Sequence, residues 1–192
     1  MFSAMSLRKG RKTPQGRTHR FYTGVAQFSY GEGMSFTSFA LRAHPPRCEA
    51  PGEVTAATSH HVLRPADASG EMTIEVALRN TGARQGSTVV MAWFAPAATS
   101  GVDHHSALAT RLGQDPPVRS LAAYTRSVSL RVGEEAVVSL KVRIDDLAFV
   151  DAVTSGRVLP AGEYEVRVDL GPNSAGAGEV VHTLRVAEEI LM

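Results

Sequence analysis

Two adjacent histidine pairs, His60–His61 and His104–His105, are the residue types best suited to metal chemistry, and Asp103 stands beside the second pair. A metal site needs several ligands converging in space. Neighbours on an extended segment point to opposite faces, so neither pair is expected to chelate, and solvated loop histidines are the expectation. His19 and His182 stand alone, one in a loop and one in a strand, and read as packing or surface groups. Carboxylates pair at Glu134–Glu135, Asp145–Asp146 and Glu188–Glu189. Glycoside hydrolysis takes two carboxylates facing each other across a cleft. Glu134–Glu135 falls in a tight turn, where charges face water, and Asp145–Asp146 reads as Asx-type capping at a strand end. No Gly-x-Ser-x-Gly elbow occurs, and Gly31-Glu32-Gly33 is only the first half of a dinucleotide loop with no helix after it. Trp93 and Tyr124 would stack on a sugar ring if exposed, but Trp93 lies in the most apolar run of the chain and is expected in the core. The residues therefore assign no catalytic group, no cofactor and no metal.

What must position these side chains is a set of strands. Met72, Ile74, Val76 and Leu78 alternate with Thr73, Glu75, Ala77 and Arg79. The same period of two runs through Val128–Leu130–Val132, Val138–Leu140–Val142–Ile144 and Tyr164–Val166–Val168–Leu170, and through Val180, Leu184 and Val186, where His182 interrupts the apolar face. Such alternation marks strands with one buried face. Residues 88–95 are apolar throughout and suit a strand buried on both faces. Turn signals stand between them at Asn80-Thr81-Gly82, Val132-Gly133-Glu134, Pro160-Ala161-Gly162 and residues 171–178. Six clear strands and one or two weak ones predict an all-β, immunoglobulin or fibronectin type III-like two-sheet sandwich over residues 71–188. Ahead of it, residues 1–42 form an extended N-terminal connector of loop and first strand. Residues 43–70, with Pro45–Pro46 and Pro51–Gly52, read as linker or weak strand. Residues 97–116 lack periodicity and read as a long loop, either functional or disordered, and 189–192 as a tail.

The 192 residues, 43% hydrophobic and 20% charged, suffice for one ordinary core. A net charge of +1 gives no case for a nucleic-acid or membrane partner. Arg8, Lys9, Arg11, Lys12, Arg17 and Arg20 do precede the first acidic residue, Glu32, a pattern shared by nucleic-acid arms and transit peptides; a solvated tail is the simpler reading. Cys48 is the single cysteine, so no intrachain disulfide forms. No apolar run approaches a membrane span, and Met1–Leu7 is too short and polar for a secretory core, so localisation stays open.

Five motifs in order resemble the fibronectin type III-like domain that closes glycoside hydrolase family 3 enzymes. They are Ile74–Gly82 with Gly86 and Val89–Val90; Pro117-Val118-Arg119-Ser120-Leu121 with Tyr124; Leu130 with Gly133-Glu134; Asp146-Leu147-Ala148-Phe149; and Leu159-Pro160-Ala161-Gly162-Glu163-Tyr164. Upstream, Met5–Arg8, Gly16–Tyr22 and Phe28–Phe39 resemble the connector of the β-xylosidase-like branch, with His19 in place of a tyrosine and Glu32 in place of an aromatic. The resemblance implies a carbohydrate-degrading parent whose nucleophile aspartate sits on a TIM barrel and whose acid/base sits on a following α/β domain. Neither domain fits in this chain, so the expectation is a non-catalytic C-terminal portion that buttresses catalytic domains supplied in cis or in trans. Residues 1–42 would then be the tail of the α/β domain, as in a gene product that is truncated, split or degenerate. By the same resemblance, Arg20 and Phe21 stand at the edge of the sugar site, and only when a catalytic partner is present. Family relatives are often secreted. The alternative is a stand-alone sandwich binding carbohydrate or protein, with the 97–116 loop as its candidate surface.

Overall fold

The computed structural model describes residues 6–10, 13–44, 55–56, 59–97, 104–171 and 178–192. Cys48 and Asp103 lie outside them.

In chain order, a single helical turn α1 (Thr18–Phe21) is followed by β1 (Phe39–Ala43), β2 (Thr55–Ala56), β3 (Ser59–Leu63) and β4 (Glu71–Asn80). Next come β5 (Val89–Pro96), helix α2 (His104–Leu112), β6 (Ser120–Arg126) and β7 (Glu135–Arg143). A 3-10 turn (Ile144–Leu147) leads to β8 (Phe149–Val150), β9 (Arg157–Leu159), β10 (Gly162–Asp169), β11 (Val180–Val186) and β12 (Ile190–Leu191). Two sheets face each other, one ordered β1-β4-β7 and one ordered β2-β3-β11-β10-β5-β6, with a small sheet β12-β9-β8 at one end. The fold is the all-β two-sheet sandwich that the alternation predicts. Met72, Ile74, Val76 and Leu78 of β4 and Leu140 and Val142 of β7 meet Val90, Ala92 and Phe94 of β5 and Val166 and Val168 of β10 in one continuous core. Burial of these apolar faces drives the layers together.

Tyr164 supplies the polar anchor of that core. Its ring is fully buried, stacks on Phe94 at 5.1 Å between centroids, and its hydroxyl donates to the Pro160 carbonyl at 2.8 Å. This is the tyrosine-corner device of Greek-key sandwiches, in which a buried hydroxyl fixes the backbone a few residues upstream. Burial pushes the phenol well above its ordinary pKa, so it stays a donor.

Three segments later in the chain differ from the sequence expectation, while the first strand and the weak strand expected ahead of residue 71 form and join the two sheets: β1 pairs antiparallel with β4, and β3 pairs parallel with β11. The inward positions of β3 are His61 and Leu63, so a polar residue masks the alternation there. The loop 97–116 contains α2, whose two apolar anchors Leu108 and Leu112 are both buried; two anchors one turn apart leave no legible periodicity. Val128–Leu130–Val132 is not a strand. Only Leu130 is buried, held by a bridge to Gly86, while Val128 and Val132 face solvent. The tail 189–192 pairs through β12 with β9.

Candidate functional site

Asn80, at the end of β4, is the hub joining connector to sandwich. It is completely buried, and its amide uses every bond it has. Nδ2 donates to the Arg84 and Leu130 carbonyls at 2.7 and 2.9 Å, and Oδ1 accepts from Thr37 Oγ1 and the Gly82 backbone N–H at 2.8 and 3.1 Å. A four-fold satisfied amide in the interior fixes three segments at once. Gly82 lies so close to the connector that a Cβ there would stand 2.3 Å from the Ser38 nitrogen.

A second fastening covers the outer face of the six-stranded sheet. Trp93 of β5 points away from the core and is nonetheless 3% exposed, because the connector lies over it. His19 and Tyr30 approach its ring at 5.8 and 5.6 Å and each other at 4.2 Å. The Arg119 guanidinium lies 4.4 Å from the indole centroid, and Nε1 donates to Asp169 at 3.3 Å. Burial, with Arg119 and Arg20 nearby, lowers the pKa of His19, so its imidazole packs as a neutral ring. The expectation that Trp93 is buried holds, but its cover is the connector rather than the opposite sheet. Gly31, at φ +82°, lets the chain pass over Met91, whose methyl would stand 2.5 Å from a Cβ.

Arg20 and Phe21 sit on α1. Phe21 is buried, with the Arg8 guanidinium 4.8 Å and that of Arg20 5.8 Å from its ring centroid. The Arg20 carbonyl accepts from Val118 N–H at 2.7 Å, tying α1 to the segment before β6. The Arg20 side chain is exposed and makes no hydrogen bond to another described residue.

The carboxylate pairs do not converge. Glu134 caps its own turn by accepting from Arg131 N–H at 2.6 Å, and Glu135 bonds Arg42 across to β1. Asp145 is bonded by Arg143, which holds its carboxyl below the usual range. Glu189 and Asp151 share Arg111 of α2, each at 2.8 Å, so this triad ties the helix to β12 and to the loop after β8. His104, the first residue of α2, packs edge-on against Tyr164, and burial lowers its pKa. His61 and His182 lie together inside the sandwich, a pairing that separate positions 121 residues apart do not signal. Among the described residues no group of three or more His, Cys, Asp or Glu side chains is placed to hold a metal ion.

The fibronectin type III-like domain model matches residues 108–171. A probable exo-1,4-beta-xylosidase, xlnD of Neosartorya fischeri, is 31% identical over 170 residues, covering 88% of this chain and 20% of that protein. The chain belongs to the fibronectin type III-like C-terminal region of glycoside hydrolase family 3. A beta-xylosidase/alpha-L-arabinofuranosidase 2 from Medicago sativa subsp. varia is 29% identical over 184 residues, again 20% of its length. Among solved structures, a GH3 exo-beta-xylosidase (XlnD) superposes with a TM-score of 0.68 at 18% identity, covering 97% of this chain and 22% of that one. A beta-glucosidase from Paenibacillus barengoltzii gives 0.59 at 20%. The chain spans about one fifth of the length of the curated relatives it matches. These relatives are larger family 3 proteins, of which the sandwich is one part.

Proposed function

We propose that this chain is a non-catalytic buttress for the catalytic domains of a β-xylosidase-like family 3 glycosidase, present in cis or in trans. The observation that carries the reading is the connector. Asn80 and Trp93 clamp it to the sandwich as one body, yet it turns Val25 and Phe28 out to water at 95% and 77% exposure. Large apolar side chains on a rigidly held surface loop mark a contact surface for another folded unit. Arg20, unbonded at the rim of a hollow of about 220 Å³ lined by Phe21, Leu112 and Pro117, is the member of the Arg20–Phe21 pair free to reach a sugar; Phe21 only holds it.

The test pairs this chain with the catalytic part of the Neosartorya relative, expressed separately. Complex formation, lost in Phe28→Ser, supports the buttress; failure of the two to associate overturns it. Aryl-xyloside turnover by this chain alone would overturn the non-catalytic assignment.

A further inference from the structure

A groove of about 1070 Å³ runs between the connector and the outer face of the six-stranded sheet at its edge strand, β6. It does not include Val25 or Phe28, the residues on which the buttress reading rests. One wall is the connector from Tyr30 to Ala40, the other is β6, and Met91 and Leu170 form the floor.

We propose that this groove binds a neutral oligosaccharide. Three aromatic rings line it while remaining open to water: Phe36 at 93%, Tyr124 at 71% and Tyr30 at 48% exposure. Phe36 and Tyr30 stand on the connector wall, and Tyr124 faces them from β6. A pyranose ring presents an apolar C–H face to such a surface and its hydroxyls at the rim. Binding sites of this kind combine aromatic faces with a few placed polar groups.

Two of the three rings are held in position. Tyr30 is locked by its edge contact to Trp93 and its tilted contact to His19, and Tyr124 projects from β6, where it pairs with Met91 of β5 just beyond a bulge. A ring already fixed loses little freedom on binding.

The polar lining fits the same ligand. The side-chain hydroxyls of Ser38, Thr81 and Thr88 line the groove and bond to no other described residue, so they are free to pair with sugar hydroxyls. Among the described residues of the lining, Arg126 is the one charged side chain and none carries a carboxylate; the Arg126 guanidinium lies 3.4 Å from Ser87 Oγ. A hydroxyl-rich wall with a single cation and no anion suits an uncharged, polyhydroxylated chain. A basic peptide would find no acid to pair with. The inference is independent of any catalytic partner, since every residue it uses belongs to this chain.

The full chain is titrated by calorimetry with xylohexaose, cellohexaose and, as an acidic control, hexagalacturonate. Binding of a neutral hexaose with a dissociation constant below about 1 mM is expected, and Tyr124→Ala and Phe36→Ala each weaken it at least about tenfold. Both side chains are exposed, so an unchanged melting curve verifies the fold. Arg126→Gln leaves neutral binding within about threefold, since a single rim contact contributes little. Three results overturn the proposal: no binding of either neutral hexaose at about 10 mM, binding that both aromatic variants leave intact, or binding of the acidic hexamer alone. If the aromatic variants abolish association with the catalytic part of the Neosartorya relative and no hexaose binds, the groove is a protein interface and the proposal also fails.

Discussion

His182 of β11 lies against His61 of β3 inside the sandwich, with ring centroids 6.3 Å apart, and neither nitrogen of His182 has a hydrogen-bond partner. Both residues are at least nine-tenths buried. Burial first, and the neighbouring His61 second, lower the pKa of His182 from 6.5 to about 4. The folded protein therefore holds this imidazole neutral, while the unfolded chain takes up a proton below pH 6.5. Between those values the unfolded state binds more protons, so stability is full above pH 6.5 and falls as the pH drops toward 4. A shift of this size corresponds to about 3 kcal/mol over the window. His182→Leu, which continues the apolar face of β11, is expected to flatten the acid limb and to be more stable than the parent at pH 5. Urea unfolding from pH 4 to 8 measures both slopes; parallel slopes would sink this account.

Asn80→Ala removes the amide that four groups use. Arg84 O, Leu130 O, Gly82 N–H and Thr37 Oγ1 lose their partner together, two of them beside the core. Stranding buried polar groups costs about 1–3 kcal/mol each before relaxation, and water reaches some of these, so a net loss of about 3 kcal/mol is expected. Thr37→Val removes only the connector bond and is expected to cost about 1 kcal/mol. Denaturant unfolding of both variants gives the ratio, and equal losses would show that the hub does not act as one unit.

The fold was legible in the sequence wherever one sheet face is apolar and the other polar. β4, β7 and β10 announce themselves because Met72–Leu78, Val138–Val142 and Tyr164–Val168 alternate without interruption, and β11 does so although His182 breaks its apolar face between Val180 and Leu184. β3 was legible only as a weak strand, because His61 occupies an inward position that alternation assigns to an apolar residue. Val128 and Val132 gave a false strand: they flank the buried Leu130 at the right spacing, but Gly133, at φ +78°, turns the chain before pairing can extend. The connector's fastening was half legible. The aromatics Tyr30 and Trp93 stand out singly, but their meeting with His19 and Arg119 is long-range, and nothing local encodes it. The exposure of Tyr124 and Phe36 was invisible for the same reason, since pattern alone does not say which face another segment covers.

Tyr164→Phe isolates the corner hydroxyl. The ring, with its stacking on Phe94 and its tilted contact to Phe149, is retained, and only the bond to the Pro160 carbonyl is lost. A loss of about 1–2 kcal/mol follows from leaving that buried acceptor unpaired. Tyr164→Leu also removes the aromatic packing and is expected to cost about 2 kcal/mol more. Thermal unfolding at neutral pH separates the two. A Phe variant as stable as the parent would mean that the hydroxyl is satisfied elsewhere.

Trp93 is the single tryptophan, so its fluorescence reports the connector directly. In the folded chain the indole is sealed by Tyr30, His19 and Arg119. Tyr30→Ala removes one lid and Arg119→Ala the other. Each aromatic or cation–π contact contributes about 0.5–1.5 kcal/mol, too little to unfold the sandwich but enough to weaken the seat. The double variant is expected to show red-shifted emission, stronger iodide quenching and faster proteolytic cleavage between residues 25 and 36. Its sandwich, whose core uses neither residue, keeps its cooperative unfolding transition. If emission stays blue and the connector stays protected, the Asn80–Thr37 clamp alone seats it and the Trp93 stack is incidental.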